Sequence, residues 1–247
     1  MTASFDRRTA TDALALLRTG ELTMVGRLTD ASNITLYCTV ATDTAEAACV
    51  YKPVAGERPL WDFPDGTLAG REIAAHAISE ALGWAIVPPT VYRDGPYGEG
   101  MVQLWVNGDE AVDLVALSRD RGHAGLRRMA VFDAVINNSD RKIGHLLPVP
   151  DGHLYGCDHG VSFAEDYKLR TVLWQWQGEP LPAEVPAALA AMRDRLLDPG
   201  DPLSVELAAH LTEAERYALR SRVQILCEHG VHPYPSPDWP SVPWPPI

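Results

Sequence analysis

The sequence predicts an α+β chain in two lobes, an antiparallel sheet carrying one helix followed by a mainly helical half. Three observations point there. Short strand-like runs separated by polar turns occupy 21–53 and 90–106, a single segment of helical period at 68–82 interrupts them, and helical periodicity dominates after residue 125.

The elements follow in chain order. Leu14, Leu17 and the flanking alanines recur at helical spacing and stop at Gly20, which predicts a short first helix. Strands are expected at 21–28, 34–40 and 47–53, joined by the polar stretches 29–33 and 42–46 as hairpin turns. From Leu68 to Leu82, Ala74, Ala77, Ile78 and Ala81 share one face, and Gly83 stands where a helix ends. Two more strands, 90–93 and 101–106, flank the turn Asp94-Gly95-Pro96 and complete a sheet of about five strands. Beyond them the helix 125–137, with Met129, Phe132 and Val135 in phase, runs into the polar stretch Asn137-Asn138-Ser139-Asp140-Arg141-Lys142. Two short strands, 146–149 and 154–157, turn at Pro150-Asp151-Gly152, and helices follow at 185–197 and 213–227. Thr212 and Glu215 form a capping box for the last helix, and Gly230 closes it. Residues 231–247 hold many prolines and two tryptophans, the composition of a strap laid over a surface or an extended segment. The chain thus divides into 1–107, 108–230 and 231–247.

Composition limits the function. At 247 residues with 46% hydrophobic content the chain can fill a core. A net charge of −12 repels a phosphate backbone and an anionic membrane, so nucleic-acid binding is not expected. Cys38, Cys49, Cys157 and Cys227 show no CxxC spacing, which suits reduced thiols. The N-terminus does not read as a signal peptide and no long apolar run follows, so a cytoplasmic protein without stable membrane insertion is expected.

Several polar groups stand where the local pattern does not call for them. Lys52 ends a strand-like run, and the pleat places it on the face opposite Tyr51. In a cleft, its ammonium could be held against phosphate oxygens by a carboxylate of the neighbouring helix, and Glu72 is the first candidate. Asp140 lies in a polar loop between a helix and a strand. Asp158 follows a strand 18 residues later and offers a hard oxygen to Mg²⁺ or Mn²⁺. Strand lysine, helix glutamate, loop aspartate and metal aspartate occur in the order of a kinase-type phosphotransferase.

Asn138-Ser139-Asp140-Arg141 with Asp158-His159-Gly160 resembles the catalytic and metal loops of the phosphatidylinositol 3-/4-kinase-like superfamily, which includes HipA-type protein kinases. YKP at 51–53, NNSDRKIGH at 137–145, DHG at 158–160 and KLRTVLW at 168–174 are similar more closely to an actinobacterial family distantly related to those lipid kinases. The resemblance implies a two-lobed protein-kinase-like fold that uses ATP and Mg²⁺ or Mn²⁺ to phosphorylate a protein or small molecule. Lys52 would contact the ATP phosphates with Glu72 steadying it, Asp140 would orient or deprotonate the acceptor with Arg141 neutralising charge beside it, and Asp158 would bind metal. The turn 29–33 takes the place of the phosphate-covering loop, with the Ser32 and Asn33 amides as the cradle. Gln103–Val106 would form the hinge against adenine, with Trp105 as a wall. Where the superfamily carries a metal-binding Asn, five residues after the loop aspartate, this chain has His145, a better ligand for Mn²⁺ than for Mg²⁺.

Lys168 and Arg170 beside Glu165 and Asp166 supply little positive charge for a polyphosphorylated lipid headgroup. The His145 departure and the Pro/Trp tail also suit a nucleotide-binding pseudokinase or interaction module. Transfer of AMP remains compatible with the same motif set, and a mononuclear hydrolase site would leave Lys52 and Glu72 without a role.

Overall fold

The structure, a computed structural model, describes residues 7–28 and 33–247. After helix α1 (Arg7–Thr19), strands β1 (Glu21–Leu28), β2 (Thr35–Ala41) and β3 (Glu46–Pro53) form an antiparallel meander; helix α2 (Leu68–Leu82) precedes the hairpin β4 (Thr90–Gly95) and β5 (Gly98–Leu104). The sheet runs β1-β2-β3-β5-β4, with β5 beside β3 so that the hairpin after α2 closes onto the meander. The loop of that hairpin is only Pro96–Tyr97, so β4 runs on to Gly95 and β5 begins at Gly98, earlier than the expected 101, and ends at Leu104.

Strand alternation sends neighbouring residues to opposite faces. Val102, Tyr51, Cys49 and Leu104 pack with Leu17 of α1 on one face, whereas Met101 packs with Ala69 and Ile73 of α2 on the other. Lys52 is the cross-strand partner of Met101, so the face that carries α2 also carries the lysine. Gly100 lies opposite Pro53, where a Cβ would stand 2.4 Å from the Lys52 carbonyl oxygen, and glycine is required by that close approach.

Helix α2 spans the residues its periodicity predicts and ends at Gly83 in the left-handed region. Its N-terminus is capped from afar: the Thr67 hydroxyl donates to Pro64 O, and the Glu57 carboxylate instead accepts from the Leu68 and Ala69 amides at 3.0 and 2.8 Å. A charge at that position also meets the positive end of the helix dipole.

The helical half contains α3 (Leu114–Ser118), α4 (Ala124–Ile136), the short pair β6 (Leu146–Pro148) and β7 (Leu154–Gly156), and α5 (Val185–Leu197), α6 (Pro202–His210) and α7 (Glu213–His229). Helix α4 is buried over Met129–Ile136 and anchors the larger core, which gathers Trp176, Leu189, Leu207, Leu219 and Val223 from the surrounding elements. Helices α3 and α6 were not expected individually, though Asp113 and Asp201 cap them and Pro202 takes the first helical position. The Thr212–Glu215 capping box and the Gly230 stop of α7 form as the sequence predicts. No helix among the described residues is long and apolar enough to cross a membrane.

Candidate functional site

At the end of β3, burial alternates so that Tyr51 and Pro53 enter the interior and Lys52 turns into a cleft between the sheet and the helical half. The Lys52 ammonium donates to Glu72 Oε1 at 2.8 Å and to Asp158 Oδ1 at 2.9 Å, which unites three of the residues singled out in the sequence. Burial alone would lower the Lys52 pKa, but the charges of Asp158 and Glu72 outweigh it and hold the ammonium protonated. The same ammonium, against the opposing effect of burial, keeps the Asp158 carboxyl well below the usual carboxylate range.

Asp158 follows β7 with φ 61°, a left-handed conformation that costs energy outside glycine and turns the carboxylate toward Lys52. Its neighbour His159 is buried. The His159 amide donates to Glu72 Oε2 at 2.9 Å, and its Nε2 lies 2.7 Å from the Arg141 guanidinium. Since arginine can only donate, Nε2 accepts and the proton resides on Nδ1, 3.8 Å from Glu72 Oε2. Both Glu72 oxygens therefore have partners, one in the sheet and one in the helical half.

Asn137, in the left-handed region at φ 54°, ends α4 and starts the polar loop. Asn138 Oδ1 accepts from the Asp140 amide at 3.0 Å, which orients the loop, and the Asp140 carboxylate lies 3.1 Å from the Lys142 ammonium. Burial raises the Asp140 pKa against the opposing pull of Lys142, a direction that favours proton uptake. Lys142 was not anticipated; its placement two residues after the loop aspartate was the available signal.

Arg141 corrects the expectation that it neutralises phosphate charge. It is fully buried and points away from the cleft, with Nε and Nη2 donating to Asp133 at 2.8–3.2 Å and Nη1 to Cys157 O at 3.1 Å. Asp133 also accepts from Asn138 Nδ2 and Thr171 Oγ1, so the pair ties the loop to α4 from beneath. An acidic residue on the buried face of an apolar helix was the overlooked sign in the sequence.

His145, in a 3₁₀ turn over Ile143–His145, presents Nε2 to Asp158 Oδ2 at 3.5 Å, while its Nδ1 accepts from the Lys142 amide at 3.4 Å. That pattern places the proton on Nε2 and makes the ring a donor toward Asp158. Burial lowers its pKa to about 4, against the raising effect of Asp158, so the ring is neutral near pH 7. To ligate a metal through Nε2, the proton must shift to Nδ1. Among the described residues no group of three or more His, Cys, Asp or Glu forms a ligand cluster. A divalent ion held by one carboxylate and completed by phosphate oxygens needs no such cluster, and Asp158 fits that arrangement.

Adjoining these charges is a cavity of about 700 Å³, large enough for a nucleotide. Leu28, Val50, Leu104, Leu114, Leu146 and Pro148 are among its apolar walls. Gln103 lines it while its amide donates to Thr90 Oγ1 at 2.9 Å, and Trp105 lines it, braced edge-on by Tyr37 at 5.0 Å. Asn33 reaches the rim, where its Oδ1 accepts from the Arg58 amide. Ser32 and the rest of 29–32 lie outside the described residues. A second hollow of about 730 Å³ lies along α7 beside Glu165 and Tyr167, remote from the lysine–carboxylate cluster. The charged groups make the first cavity the candidate site.

No family model matches the chain. It is 46% identical to "Protein Rv2133c" of Mycobacterium tuberculosis over 268 aligned positions that cover 95% of each chain. Among solved structures, the Golgi casein kinase with Mn/ADP bound superposes with a TM-score of 0.62 at 16% identity, covering 91% of this chain and 76% of that one. A second crystal structure of the Golgi casein kinase gives 0.57 at 16% identity with the same coverage. The fold is kinase-like, with an antiparallel sheet in the N-terminal half and helices in the C-terminal half.

Proposed function

Since the chain belongs to the family of Protein Rv2133c and has a protein-kinase-like fold, we propose that it is an ATP- and metal-dependent phosphotransferase acting on a protein or a small molecule. The observation that carries this reading is the Lys52 ammonium bridging Glu72 and Asp158 at the edge of the nucleotide-sized cavity. The motif resemblance makes the phosphatidylinositol 3-/4-kinase-like type the subtype we propose. The Mn and ADP held by the Golgi casein kinase structure support nucleotide and divalent-metal use on such a fold.

Each residue has a role in that chemistry. Gln103, Trp105 and the apolar walls hold the base, and Asn33 at the rim faces the phosphates. Lys52, aligned by Glu72, neutralises non-transferred phosphate oxygens. Asp158, with His145 beside it, would hold the divalent ion, which offsets charge developing on the leaving oxygen. Asp140 takes the proton of the acceptor hydroxyl as its oxygen bonds to the γ-phosphorus. The bond between that phosphorus and the β–γ bridging oxygen breaks, and its electron pair leaves with ADP. Most of the acceleration comes from positioning and charge neutralisation.

Thermal unfolding of the wild type and Asp158→Ala, with ATP and Mg²⁺ or Mn²⁺ added separately and together, tests the reading. A ligand at ~100 times its dissociation constant adds ~2.7 kcal/mol of stability. A shift that needs nucleotide and metal together and is absent in the variant supports the assignment. A folded wild type that shows no shift with either metal overturns it.

A further inference from the structure

The C-terminal residues leave the last helix and cross back to the polar loop. Val231 bridges Pro180, and Trp239 stacks on Trp61 at 6.1 Å while Lys168, paired with Asp62, lies against both rings at 4.3 and 4.9 Å. Ser241 O then accepts from the Thr171 amide at 3.0 Å and from the Trp174 indole at 2.7 Å. Pro243 is buried, and Pro246 O accepts from the Ile143 amide at 2.9 Å, three residues after Asp140.

These contacts occupy one particular edge. Residues 168–172 lie parallel to the loop bearing Asp140, with the Arg170 and Val172 amides donating to Asn138 O and Arg141 O. The intervening Thr171 amide points the other way, and an extended polypeptide reaching Asp140 along this side would use it as its backbone partner. The strap already holds it, together with the Ile143 amide on the adjoining stretch. Prolines at 240, 243, 245 and 246 restrict the strap's backbone, so little entropy opposes its staying in place.

We propose that the strap closes this edge of the acceptor side to polypeptides and that the acceptor is a small hydroxyl compound. The inference rests on the phosphotransferase reading and narrows it to one acceptor class.

The test compares the full chain with a chain ending at Trp239, and with Trp239→Ala, which loosens the strap without shortening it. Each is incubated with γ-labelled ATP, the metal that supports nucleotide binding, and a mixture of peptides degenerate around serine, threonine and tyrosine. The full chain should leave the peptides unlabelled, and at least one loosened variant should label them tenfold or more above it. Equal peptide labelling by all three chains, whether high or absent, overturns the inference. The nucleotide- and metal-dependent thermal shift is read on the same preparations. If the full chain shows none, the phosphotransferase reading falls and this inference with it; if the shift persists and the labelling comparison fails, only this inference falls.

Discussion

Replacing Asp133 with Asn tests the assignment of Arg141 to the scaffold. The substitution keeps the shape on α4 but removes the negative charge facing a fully buried guanidinium and turns one of the two acceptor oxygens into an NH2 donor. Three donor contacts at 2.8–3.2 Å from Arg141 converge on that carboxylate, and Asn138 Nδ2 and Thr171 Oγ1 also donate to it. Breaking one side of such a pair costs about 3–5 kcal/mol, because the remaining charge has neither water nor partner. In a chain of this size that loss lowers Tm by roughly 6–20 °C. The assay is urea unfolding followed by far-UV circular dichroism, with the midpoint and slope fitted together. Replacing both residues, Asp133→Leu with Arg141→Met, should cost less than the single change, since no charge is then stranded. An Asp133→Asn chain within about 1 kcal/mol of the wild type would refute the buried-pair argument. So would an Arg141→Lys chain of wild-type stability whose only defect is weaker nucleotide binding.

Further outcomes follow from the same geometry. Lys52→Met removes charge-assisted contacts worth about 1.5–3 kcal/mol each, so nucleotide affinity should fall roughly ten- to a hundredfold, read by the thermal shift. His145→Asn should raise Mg²⁺-supported nucleotide binding relative to Mn²⁺-supported binding, because an amide oxygen is a harder donor than imidazole; an unchanged ratio removes His145 from the metal site. Burial holds His76, His145 and His232 near a pKa of about 4 in the folded chain, below the 6.5 of the free side chain. The unfolded chain therefore takes up protons first as pH falls, and stability should drop between pH 6.5 and 4 by up to ~1.4 kcal/mol per pH unit for each histidine. A flat urea midpoint across that range contradicts it. Glu57→Gln leaves the α2 amides a weaker acceptor and should cost about 1 kcal/mol, measured by urea unfolding.

Sequence alone determined much of the local structure and the cast of the site. Strand β1 and helices α2 and α5 cover the residues predicted for them, because alternation, helical period and stop signals are written within each segment. Lys52, Glu72 and Asp158 stood out as charged groups beside apolar runs, and they meet within hydrogen-bonding distance. Only the tertiary structure decided which charges face the cleft. Arg141 and Lys142 are adjacent and carry the same charge, yet one is sealed under the loop by Asp133 while the other lies beside Asp140. That choice depends on which carboxylate the fold brings within reach across several residues, and no local period encodes it. The same holds for the strap. Its prolines declare an extended chain, but the amides of Thr171 and Ile143 that receive it become neighbours only once the helical half has closed around them.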